Sequence, residues 1–364
     1  MRSSRLIPFI LDCYKHGRSL LLEGEPGVGK SDVFDQSVSE LRKIGSVKYI
    51  ITFPYMEDPT VPAGFPFPSE DRKHATFLPF GAMHEALTAT EDFIIWNLED
   101  LGWADFSMQK AYANVITRRR FNGTKLPDRL TFASSSNRTT DMSGVTGFME
   151  ALKSRFDTII HFDVSVEDWV NWALVHDMPV ELIVHIRNHP LRLHNFTPTK
   201  ELKQSPCPRN WAHVGLWCNQ GYKPDLTPQD KLSEKEQEKL LETNMGVKEI
   251  WTGSVGQADA TEFYATFELM AKAPDIDAIL LDPENAPVPE MKDASILYAV
   301  TTALAHRSSK STFDTALRYA VRMPKAFETL FVKDSHRRCK DIVSTKGFNK
   351  WANHKDNRDI VCGL

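Results

Sequence analysis

The sequence has little of what would tie it to a membrane, a secreted scaffold or a fibrous repeat. Its 364 residues include only five cysteines, at 13, 207, 218, 339 and 362, with no Cys-x-x-Cys pair and no Cys/His cluster at zinc spacing. Neither a disulfide framework nor a structural zinc is indicated, and a reducing compartment is expected. No apolar run approaches the roughly 20 residues needed to span a bilayer. The opening Met1-Arg-Ser-Ser-Arg-Leu-Ile-Pro8 leads into an apolar stretch that Asp12 and Lys15 interrupt too early for a secretion signal. The expectation is therefore a cytoplasmic protein with no membrane association. Neither sign of charge dominates, the net being −4, and the 18 glycines and 21 prolines follow no period. With 41% hydrophobic and 25% charged residues, what remains is an ordinary globular chain of two or three domains.

Charge is balanced overall but uneven along the chain. Between Ala305 and Arg358 there are 13 Lys/Arg against 5 Asp/Glu, a basic end on an acidic body. Such an asymmetry fits a nucleic-acid contact, an acidic partner, a subunit interface or simply solvated helix faces.

Five short apolar, β-rich runs punctuate the first 165 residues: Ser19 to Glu23, Val47 to Phe53, Phe93 to Leu98, Leu130 to Ser134 and Thr158 to Phe162. Segments of helical length separate them, including Ser31 to Ile44 and Phe106 to Arg118. Strands buried on both faces and alternating with helices predict a parallel sheet in an α/β layer. After Ser165 helical patterns take over, broken by a Pro-rich link from Phe196 to Pro208 and by a charged stretch from Lys231 to Glu242, an exposed helix or loop.

The sharpest motif is Gly24-Glu25-Pro26-Gly27-Val28-Gly29-Lys30-Ser31, with Asp32 following it. It matches G-x-x-x-x-G-K-[ST] in full and lies between a strand and a helix, as a phosphate-binding P-loop must. A chance match in a chain of this length is on the order of one in a hundred. Its glycines allow backbone N–H groups to wrap an anion, the helix N-terminus adds positive dipole, Lys30 reaches the β and γ phosphates, and Ser31 ligates Mg2+. ATP and Mg2+ are the expected ligands.

A P-loop needs an acidic partner for the metal and a group that orients the attacking water. Phe93-Ile-Ile-Trp-Asn97-Leu-Glu99-Asp100 supplies two carboxylates after an apolar run. The first acid after the strand faces the metal, so Glu99 is assigned to Mg2+ and Asp100 to water activation. The alternative makes Asp100 the metal acid with no catalytic acid behind it, which predicts tight binding with little hydrolysis. Asn137 ends the Ser134-Ser-Ser run, either as a turn residue or as the amide that holds water near the γ-phosphate. Arg155 closes a helix before the fifth strand, either as a surface residue complementing the helix dipole or as a finger reaching a neighbouring subunit's nucleotide. Arg209 opens a helix in the second region, from which it can reach the phosphates.

P-loop, acidic pair, Asn137, Arg155 and Arg209, in this order and at this spacing, resemble an AAA+ ATPase, and the intervening sequence resembles the MoxR branch. Residues 58–80 are similar to the strand-rich insertion of that branch, and Thr117-Arg-Arg-Arg-Phe-Asn-Gly123-Thr-Lys-Leu-Pro127 to its hairpin. Asn137-Arg-Thr-Thr-Asp141, Asp168-Trp-Val-Asn-Trp172, Pro208-Arg-Asn-Trp211 and the stretch from Gly253 to Phe263 resemble single-ring ATPases of bacteria and phages. Two departures stand out: the pair reads Glu-Asp rather than Asp-Glu, and Asn97 interrupts the strand.

The resemblance implies a three-layer AAA+ nucleotide domain over residues 1–163, with an insert near 58–80 and a hairpin near 117–129. A helical lid over 164–270 and a basic helical region over 271–364 would follow. It also implies a ring-shaped homo-oligomer, a hexamer, with ATP between subunits, Arg155 acting in trans and Arg209 from the lid. Arg118, Arg119 and Arg120 are a second choice for the trans role, more simply read as the root of the hairpin. Trp169, Trp172 and Trp211 read as packing residues. Three functions follow from these readings: a chaperone-like remodeller working with a partner that carries a von Willebrand A-type domain, a nucleic-acid motor or loader, or a nucleotide-gated scaffold with weak turnover.

Overall fold

A computed structural model of the chain describes residues 1–141, 143–145, 147–290 and 292–361. These fall into two compact units, one of residues 1–165 with 197–200 and one of 166–196 with 201–364.

In the first unit, α1 (Ser3–Lys15) leads to β1 (Leu20–Glu23), α2 (Lys30–Leu41) and β2 (Val47–Thr52). A helical turn α3 (Thr60–Ala63) and the antiparallel hairpin of β3 (Phe65–Pro68) and β4 (Ala75–Leu78) follow, then α4 (Gly81–Thr88), β5 (Phe93–Leu98) and α5 (Phe106–Arg118). A second hairpin, β6 (Arg120–Phe121) with β7 (Thr124–Lys125), precedes β8 (Leu130–Ser136), α6 (Glu150–Lys153) and β9 (Thr158–His161). Five strands form one sheet in the order β2-β5-β8-β1-β9, and every pairing in it is parallel.

Side-chain alternation explains why the sheet is covered on both faces. Along β1, Leu20 and Leu22 pack with Leu6, Ile10 and Phe34 of α1 and α2, whereas Leu21 joins the opposite core around Trp96, Met108 and Tyr112. In β5, Ile95 faces the first core and Ile94, Trp96 and Leu98 the second. A strand with both faces buried reads as a continuous apolar run, which is how these segments look in sequence. The result is a three-layer α/β fold around a parallel five-stranded sheet, followed by a helical region, as the sequence predicts.

The two hairpins touch each other. Gly64 adopts φ 91°, and a Cβ there would lie 2.4 Å from the ring of Phe121. The Asn122 amide also donates to the Ala63 carbonyl at 2.8 Å.

The second unit is helical: α7 (Val166–Val175), α8 (Val180–Asn188), α9 (Pro208–Asn219), α10 (Glu234–Val255) and α11 (Gln257–Met270), then α12 (Ile276–Leu281), α13 (Ala294–His306), α14 (Phe313–Ala320), α15 (Lys325–Arg338), α16 (Lys346–Ala352) and α17 (Arg358–Val361). The charged stretch around residues 231–242 is the start of the 22-residue α10, opened by a capping box between Ser233 and Glu236. Trp211 and Trp169 are buried, Trp211 against His185 and Phe263, so both act as core. In the same unit α13 packs on α8 and α15, and a buried ion pair between Arg187 of α8 and Asp334 of α15, at 2.6 Å, joins two of these helices. Among the described residues no helix is long and apolar enough to cross a membrane.

Candidate active site

In a parallel sheet all strands end on the same edge, and the loops leaving neighbouring strands converge there. Here β1, β8 and β5 are neighbours, so the loops after Glu23, Ser136 and Leu98 meet at one rim. Gly24 N–H donates to the Ser136 carbonyl at 3.2 Å, and Glu99 N–H to the Thr52 carbonyl at 2.9 Å, which fix where two of these loops depart.

The P-loop turns through Gly27 at φ 73° and Gly29 at φ 100°, a left-handed backbone that a side chain would oppose. Helix α2 then starts at Lys30. The Lys30 ammonium is buried and donates to the Gly24 carbonyl at 2.8 Å, the Glu25 carbonyl at 2.9 Å and Asn137 Oδ1 at 2.6 Å. Asn137 thus sits directly against the P-loop lysine although 107 residues separate them. Pro26 and Val28 complete the loop, and Asp32 is exposed in the first turn of α2.

Glu99 is buried, and its carboxylate accepts three hydrogen bonds from neutral donors. Ser31 Oγ reaches Oε2 at 3.0 Å, Ser135 Oγ the same oxygen at 2.9 Å, and the Asn97 amide Oε1 at 2.8 Å. A hydroxyl beside a carboxylate is an all-oxygen donor set. That suits Mg2+, which keeps several waters and binds through one or two carboxylates together with substrate phosphates. Asp100 lies one residue on, half-buried, in a left-handed conformation at φ 49°, with its N–H directed to Ser135 Oγ at 3.2 Å.

Two contributors escaped the sequence reading. Ser135 bridges Glu99 and the Asp100 backbone. Arg138 reaches the side chain of Glu25 in the P-loop while Asp141, itself buried, takes its Nε–H at 2.9 Å and its backbone N–H at 3.1 Å. The Arg-x-x-Asp spacing from 138 to 141 was the visible signal for half of that clamp; the partner on the P-loop was not visible.

The remaining predicted residues lie elsewhere. Arg155 is exposed and precedes β9, so it stands at the opposite end of the strands from the P-loop, roughly 13 Å away along a four-residue strand. It does not meet the phosphate-binding loop of its own chain. Arg209 is exposed in the first turn of α9, in the second unit. Arg119 is spent on structure: its guanidinium donates to the carbonyls of Pro127 at 2.9 Å and Leu130 at 2.7 Å, closing the root of the β6–β7 hairpin, and burial lowers its pKa.

No family model matches the chain, and no curated protein matches it in sequence. Solved structures with similar folds include a RuvB variant from Thermotoga maritima, at 12% identity over 86% of both chains with a TM-score of 0.40. NtrX from Brucella abortus is similar at 14% identity and a TM-score of 0.35, over 72% of this chain and 64% of its own; it has also been solved in complex with ATP. The chain thus spans just under two thirds of NtrX. At this level the likenesses add nothing to the site geometry, which stands on the contacts above.

Proposed function

We propose that the chain is a Mg2+-dependent ATPase of the AAA+ type, and within it of the MoxR branch, working as a ring-shaped oligomer, a hexamer, on a protein partner. The convergence of Lys30, Ser31, Glu99 and Asn137 at one sheet rim, from three separate loops, carries this reading. Those are the groups that phosphoryl transfer to water requires, where catalysis is mostly positioning and charge stabilisation.

The backbone N–H groups from Gly27 to Ser31 cradle phosphate oxygens, and the Lys30 ammonium exchanges its present acceptors for them. Ser31 and Glu99 would hold Mg2+, which when bound would neutralise charge on the phosphate oxygens. Asn137 orients the attacking water, and Asp100, at the tip of β5, accepts its proton. Arg155, placed away from its own P-loop, serves a neighbouring subunit, and Arg209 contributes from the helical region. The remodelled partner, with a von Willebrand A-type domain as the branch suggests, belongs to the same proposal.

Phosphate release by the purified chain, with and without Mg2+, tests the reading. Lys30→Ala should abolish turnover, and Asp100→Asn should lower it at least 100-fold while nucleotide binding persists. Equal rates for Asp100→Asn and the parent would remove the role of Asp100 and favour the nucleotide-gated, weakly hydrolysing alternative, which the Glu-Asp order also favours. A monomer both with and without ATP and Mg2+ would count against Arg155 acting in trans.

A further inference from the structure

Asn97 is the least expected side chain in the sheet: a fully buried amide near the end of β5, between β2 and β8, where apolar residues otherwise fill the strand. Its surroundings fix the orientation of the amide. The Tyr49 hydroxyl oxygen accepts one Asn97 N–H at 3.2 Å. The other N–H goes to Glu99 Oε1 at 2.8 Å. Asn97 Oδ1, by contrast, has no partner and is buried. An apolar side chain of similar size would remove the unpaired oxygen but would also take away the donor that Glu99 Oε1 and the Tyr49 hydroxyl share. The amide is explained by what its donors hold.

What they hold is a carboxylate one methylene longer than the aspartate usual at that place. The extra carbon gives Glu99 reach and one more rotatable bond. With Oε2 on Ser31 and Ser135, the hydrogen bond from Asn97 to Oε1 settles the remaining rotation of the carboxylate plane. We propose that Asn97, braced by Tyr49, is the positioning residue that lets a glutamate at 99 serve where a shorter acid would ordinarily stand. The two departures from the usual acidic motif, Asn97 and the Glu-Asp order, are then one adaptation: the longer acid and the amide that fixes it. This rests on the reading of Glu99 as the Mg2+ carboxylate.

The test is a Mg2+ titration of the affinity for a fluorescent ATP analogue, alongside thermal unfolding, for the parent chain, Asn97→Leu and the smaller strand former Asn97→Val. Removing the support of a metal ligand costs 10- to 100-fold in metal affinity as a rule. Both variants should therefore need about tenfold more Mg2+ for half-maximal effect, with Mg2+-free affinity within twofold of the parent and a cooperative unfolding transition retained. In a Glu99→Gln background, Asn97→Leu should add nothing. Mg2+ dependence within twofold of the parent in a folded variant overturns the role of Asn97, as does an undiminished effect of Asn97→Leu in the Glu99→Gln background or an equal loss of Mg2+-free affinity. A parent whose nucleotide binding ignores Mg2+ removes the functional reading itself, a distinct failure.

Discussion

Each unit of the protein buries a carboxylate, and the two are treated in opposite ways. Glu99, at the sheet rim, is surrounded by two hydroxyls and an amide, neutral donors that orient it without cancelling its charge. Asp334, in α15, is wholly buried and lies 2.6 Å from the Arg187 guanidinium, in a charge-to-charge contact rather than an aligned hydrogen bond, with Arg337 at 3.6 Å. Burial pushes the Asp334 carboxyl up, against the pull of Arg187. Arg187 also donates to Thr302 of α13 at 2.6 Å, so the pair ties three helices together. A carboxylate already matched to an arginine is a fastener. One held by neutral groups keeps its charge available for a cation that arrives later.

That contrast can be broken most sharply at Asp334. Removing one partner of a buried pair leaves the other charge uncompensated, so Asp334→Ala should cost about 3–5 kcal/mol of unfolding free energy in a urea titration. A loss below about 1 kcal/mol would mean that water already reaches Arg187 and that the pair is no fastener.

The mirror experiment at the rim is Glu99→Gln. It keeps the shape but removes the charge, and turnover should fall about 100-fold, the scale for losing one electrostatic contributor to a transition state. Unfolding free energy should fall by less than at Asp334, by about 1–2 kcal/mol. A large stability loss with modest loss of turnover would place Glu99 in the same class as Asp334.

A third buried ionisable group sharpens the distinction. His185 has no exposure, bonds Thr266 Oγ1 through Nδ1 at 2.9 Å, and leaves Nε2 without a partner. Burial, with His189 and Arg192 adding positive charge, lowers its pKa to about 3. Below the ordinary value near 6.5, the unfolded chain takes up a proton that the folded chain refuses. Stability contributed at this position is therefore lost as pH falls through that window and is unaffected above it. Between pH 7 and pH 5 the parent should lose about 2 kcal/mol more than His185→Phe, measured by denaturant unfolding at each pH. Equal losses would show that His185 is hydrated in the folded chain.

Much of the first unit was legible because its signals are local. The five β-rich runs coincide with β1, β2, β5, β8 and β9 to within two residues at either end, and α5 runs from Phe106 to Arg118, the segment read as helical from its length. The P-loop is an eight-residue word, and the strand before it and helix after it are where the word requires them. The supports of the site were not legible, for a physical reason. Tyr49 and Asn97 are 48 residues apart, Ser135 and Glu99 are 36, and Arg138 and Glu25 are 113. Only strand order and register bring such residues together, and neither is written in a local pattern. Asn97 looked like a fault in the strand for the same reason: its partners lie on other elements. The charged residues 231–242 stayed open between an exposed helix and a loop, since a polar surface alone does not separate the two, and the capping box at Ser233 was the sign that decides for the helix.

The contact between the two hairpins has a geometric consequence. Phe121 seats on Gly64 so closely that no side chain fits between them, and Asn122 is bonded to the backbone beside it. The two excursions are packed together beside the root that Arg119 bolts to the start of β8, whose far end presents Asn137 to Lys30. The hairpin root and the P-loop lysine thus take opposite ends of a single strand.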